Sequence, residues 1–71
     1  MNIWELTKDE FFSNQVARDK VQKVYGNNDY LAYACMLQDA WDLGKEIPEK
    51  VRSQADMQDI FKTKPFGRLR R

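Results

Sequence analysis

Residues Asn28 to Lys45 read NDYLAYACMLQDAWDLGK, apolar without a break from Tyr30 to Leu37 and again at Ala40, Trp41 and Leu43. At about 3.6 residues per turn this is a helix with apolar side chains nearly all the way round. Only Gln38, Asp39, Asp42 and Lys45 supply a polar strip. Tyr30, Tyr33, Leu37 and Trp41 recur at spacings of three or four and share one stripe; Ala32, Met36, Ala40 and Leu43 share another. Such a rod needs neighbours on two sides, or a partner.

The neighbours are written on either side of it. Upstream, Thr7-Lys8-Asp9-Glu10 is a capping box, with Leu6 and Phe11 at hydrophobic-staple positions. Phe12, Val16, Val21, Val24 and Tyr25 then recur at helical spacings and mark an expected buried stripe. Arg18, Lys20 and Lys23 suit the helix dipole, and Gly26 suits a left-handed stop. Asn27 and Asn28 offer N-caps for the central rod, Asp29 an anion for its first turn, and Gly44 its end. Downstream, Pro48 fits a first helical position with Glu49 beside it. Val51, Ala55, Met57, Ile60 and Phe61 spread over more than half the wheel, and Ser53 to Asp56 resembles a second capping box where the helix could restart. Pro65 and Gly67 end regular structure. Strict apolar–polar alternation is absent, which argues against strands.

The expectation is all-α: a three-helix bundle with helices over about 7–25, 28–44 and 48–63. Ile3 and Trp4 form an apolar N-terminal arm folded over it, and an irregular basic tail follows. Residues 1–63 make one domain and 64–71 the tail. The chain has 71 residues, room for a single small core. One cysteine, Cys35, excludes an internal disulfide and, with no histidine, argues against a zinc site; no metal or cofactor is expected. The N-terminal residues lack the pattern of a signal peptide, and no apolar run reaches the roughly 20 residues of a membrane span. A lone thiol fits the cytoplasm.

Catalysis is a poor expectation. No histidine can serve as general base, and Cys35 has no activating imidazole, so it reads as a small core residue. Asp39, Asp42 and Glu46 lie along one helix face; they read as its solvated strip, or as ligands for a cation or a basic partner. No calcium loop or Gly-rich phosphate loop is present.

Two binding readings remain. In the first, the central helix has more apolar perimeter than two short helices cover, and aromatics with polar tips are enriched at interfaces. Tyr30, Tyr33, Met36 and Trp41 are then the docking residues for another protein, or for a second copy in a homodimer; otherwise these bulky side chains simply fill the small core. In the second, the tail binds nucleic acid. Residues 62–71 hold five bases and no acid, against seven bases and eleven acids in the rest. Lys62, Lys64, Arg68, Arg70 and Arg71 would neutralise phosphates while Phe66 stacks. The same tail could instead meet an acidic protein surface. A helix-turn-helix reading is poorer, because the exposed side of the central helix is acidic. Brevity and lack of catalytic apparatus match small accessory proteins of phages and other mobile elements, a likeness of size and composition alone.

Overall fold

The computed structural model describes residues 2–62. Among them the chain is all helical, with five α-helices and two 3-10 turns. Ile3–Glu5 forms the first 3-10 turn; α1 is Lys8–Phe12, α2 Gln15–Tyr25 and α3 Asp29–Asp42. After a short connection come α4 (Glu49–Arg52), a 3-10 turn over Ala55–Met57, and α5 (Gln58–Lys62). No helix among the described residues is long and apolar enough to cross a membrane.

The expected first helix is two helices. The capping box at its start is present: the Thr7 hydroxyl accepts from the Glu10 N–H at 3.3 Å, and the Glu10 carboxylate accepts from the Thr7 N–H at 2.9 Å. The helix then stops at Ser13, and Asn14 caps a new one, its side-chain oxygen accepting from the Ala17 N–H at 3.1 Å. This break changes which residues are inside. On one continuous helix Phe11 and Ala17 would point about 120° apart. With the break, both face the core, together with Val21. The expected stripe is therefore wrong at three positions: Phe12, Val16 and Val24 are exposed.

Between α2 and α3, Gly26 has φ 103° and ψ −179°, a positive-φ but extended conformation rather than the left-handed helical one expected. Asn28 accepts from the Leu31 N–H at 3.1 Å, and Asp29 takes a 2.6 Å bond from the Gln22 amide across the hairpin. At the far end of α3, the Lys45 N–H bonds the Ala40 carbonyl at 2.9 Å and the Gly44 N–H bonds that of Trp41 at 3.0 Å. With Gly44 at φ 78°, this is a Schellman stop.

The C-terminal segment also departs from expectation. Pro48 is the N-cap of α4, one position before the first helical residue. Instead of one helix over 48–63 there are three short pieces, breaking after Ser53 as the sequence hinted. Broken in this way, the segment buries Val51, Met57 and Ile60 together while Ala55 stays outside. These join Leu6, Phe11, Leu37 and Ile47 in one core with α3 at its centre.

Candidate functional site

The central helix is better covered than its composition implies. Ala32, Tyr33, Met36, Leu37 and Ala40 are all buried, so the middle of both apolar stripes is covered within the chain, while Tyr30 and Leu43 at their ends are exposed. Tyr33 has no exposed surface and stacks on Phe11 with ring centres 5.0 Å apart. Its hydroxyl donates to the Leu6 carbonyl at 2.7 Å and accepts from the Gln54 amide at 2.9 Å. Burial pushes the Tyr33 phenol up to about 12. The Gln54 carbonyl oxygen in turn accepts from the Lys8 N–H at 2.7 Å, one of the orphan donors at the start of α1. Tyr33 and Gln54 thus tie the arm, α1, α3 and the C-terminal segment at one point.

This corrects the sequence reading of the docking residues. Tyr33 is core and cannot meet a partner. Met36 is buried too, at 7 % exposure. Trp41 is half-buried, edge-on to Phe61 at 5.2 Å. Tyr30 is the one of the four on the surface, with the Lys8 ammonium 5.6 Å from its ring centre. Cys35, expected inside, is exposed: it lies on the outer strip of α3 with Leu31 and Asp39. The acids of that strip are partly engaged, Asp39 by the Tyr25 hydroxyl and Asp42 by the Gln38 amide at 3.0 Å. Burial, reinforced by the Asp39 carboxylate, raises the Tyr25 phenol to about 12. No group of three His, Cys, Asp or Glu among the described residues could hold a metal ion. Of the basic tail, Lys62 is exposed with Asp59 at 3.6 Å; Lys64, Phe66, Arg68, Arg70 and Arg71 lie outside the described residues.

Apolar side chains are exposed on α3 at Leu31 and Leu43, and also around an opening between the N-terminal arm and α2. A cleft of about 310 Å³ opens there. Val21 and Met36 lie deepest, with Ile3 and Trp4 of the arm and Val24 and Tyr25 of α2 also lining it. Beyond Ile3 the surface continues into a second cleft lined by Leu6, Val16 and Ala17, and Lys20 borders both. Val16 is 63 % and Val24 71 % exposed, large values for valines beside apolar neighbours. Sequence reasoning placed Val16 and Val24 in the core because it read α1 and α2 as one rod. Asn14, a cap residue followed by the Ala17 donor, was the available sign of the break.

Compared with protein-family models, with curated proteins and with solved structures, the chain matches none.

Charge adds a second feature to this groove. Five described cations have carboxylate partners: Lys8 with Asp56, Arg18 with Asp29, Lys50 with Glu10, Arg52 with Glu49 and Lys62 with Asp59. Lys20, Lys23 and Lys45 have none among the described residues. Lys20 lines the groove, Lys23 follows it by three residues on α2, and the Lys45 ammonium lies 5.5 Å from the Trp4 ring centre.

Proposed function

We propose that this chain is a small non-enzymatic protein-binding module, an inhibitor, adaptor or small subunit, acting through the groove between the N-terminal arm and α2. In this reading the helical pieces serve as a three-part bundle, with α1 and α2 as one part, α3 as the second and the C-terminal segment as the third. The supporting observation is the pairing of Val16 and Val24, both largely exposed, with a half-buried tryptophan and isoleucine around an open apolar cleft. Fold stability gains nothing from leaving such side chains in water, and contiguous apolar surface on a small domain marks a docking face. The docking site thereby moves off the four α3 residues expected from the sequence, of which only Met36 lines the groove.

A photo-crosslinking residue at Val24 in the full chain, compared with one at the exposed Asp9, tests the idea in the native cell. The expected result is a discrete heteromeric adduct from position 24 and none from position 9. Equal labelling from both positions, or none from position 24, would sink it.

A further inference from the structure

Taking the groove as the docking site, we infer that its occupant is an acidic amphipathic helix of another protein, with apolar anchors on one face and carboxylates along its edges. The floor dictates the anchors. Val21, Met36, Val24 and the Trp4 ring present carbon and a thioether sulfur to a ligand; the polar exceptions are Asn2, the indole N–H and the Tyr25 hydroxyl, the last already committed to Asp39. A helix laid in a groove reads it through side chains at i, i+3 or i+4 and i+7. The second cleft beyond Ile3 extends the surface along α2 from Val24 towards Val16, in keeping with more than one anchor.

The rim dictates the charge. Of the three described cations without carboxylate partners, Lys20 lines the groove and Lys45 lies against Trp4, while Lys23 faces away with Asp19 and Gln22. The apolar floor disfavours a nucleic acid, which would use the cations but leave the valines unmatched. The chain's own C-terminal residues 63–71 carry four bases and no acid, so the rim repels them. A second copy is a poorer fit, because two acids of its exposed α3 strip, Asp39 and Asp42, already accept hydrogen bonds within the chain.

The test is a backbone-amide NMR titration of the full chain with two synthetic amphipathic helices. Both carry the same leucine face; one is edged with glutamate and the other with lysine. The glutamate peptide should move the signals of Trp4, Lys20, Val24 and Met36. Its affinity should fall with added salt, and K20E should weaken it roughly fivefold or more without changing the thermal midpoint. The lysine peptide should bind at least roughly tenfold more weakly. Equal or stronger binding of the lysine peptide in the groove would overturn the acidic partner while leaving the docking site standing. Failure of both peptides to perturb the groove would remove the docking site as well. Two further outcomes overturn the inference in favour of other occupants: a concentration-dependent dimer dispersed by V24E, or peptide binding only after residues 63–71 are deleted.

Discussion

Replacing Tyr33 by phenylalanine removes one oxygen atom from the best-defined polar junction in the molecule. The ring and its packing on Phe11 stay, so no cavity opens. Two neutral hydrogen bonds are lost, to the Leu6 carbonyl at 2.7 Å and from the Gln54 amide at 2.9 Å. Gln54 keeps a second acceptor, the Val51 carbonyl at 3.1 Å, so its loss is partial. The carbonyl of buried Leu6 has no other donor among the described residues and is left as a polar group without a partner. At about 1 kcal/mol net for each bond, with a larger share at Leu6, the expected loss is about 2 kcal/mol. A chain this size holds only about 4–10 kcal/mol in total, and its melting midpoint should fall by about 8–16 °C. Urea unfolding followed by circular dichroism and tryptophan fluorescence measures it, with the slope unchanged if both states keep their compactness. A double-mutant cycle with Gln54→Leu should show a coupling of about 1 kcal/mol. A loss below about 0.5 kcal/mol would mean that the junction forms without contributing to stability, and the reasoning would fail.

Other outcomes follow from the same geometry. The Tyr33 and Tyr25 phenols are raised to about 12 from 10.0, so the fold favours their neutral forms. Their contribution is complete below pH 10 and is lost as pH climbs to about 12; urea midpoints across that window should fall, less steeply in Y33F. At the acid end, the Thr7 backbone N–H and then Lys50 lower Glu10, and Lys8 lowers Asp56. Stability from these carboxylates is present above their ordinary values of 4.5 and 3.8 and disappears as pH drops through the lowered ones, a decline that E10Q/D56N should flatten. Thr7→Ala removes the capping-box acceptor and should cost about 1 kcal/mol by the same unfolding measurement. Gly26→Ala places a Cβ on a backbone at φ 103° and ψ −179° and should cost about 1–3 kcal/mol, more than Gly44→Ala at φ 78°.

Much of the architecture was legible wherever a local rule acts within a few residues. The Thr7–Glu10 box, the Asn28 cap and the Gly44 stop each depend on side chains and backbone near in sequence, and each is found in place. The all-helical character followed from periodicity in the same way. What escaped was set by distant contacts or by phase. The Asn14 restart rotates α2 relative to α1, turning Val16 and Val24 outward, and a wheel drawn through both helices cannot show that. Tyr33 read equally as core filling or as a docking aromatic, and only the bonds of its hydroxyl to Leu6 and Gln54, partners 27 and 21 residues away, decide for the core. The candidate groove was illegible for the same reason, since it needs both the misread face of α2 and the folded-back arm. Met36 alone belongs both to the expected docking set and to that groove.

The 2.7 Å bond from Lys8 to Gln54 spans 46 residues, and the helix it caps is only five residues long. A helix of that length has no independent stability in water. During synthesis, therefore, α1 must wait until Gln54 has been made before it can settle. The hairpin of α2 and α3 can assemble earlier from adjacent sequence, and α1 gains its partner only when the segment carrying Gln54 joins it.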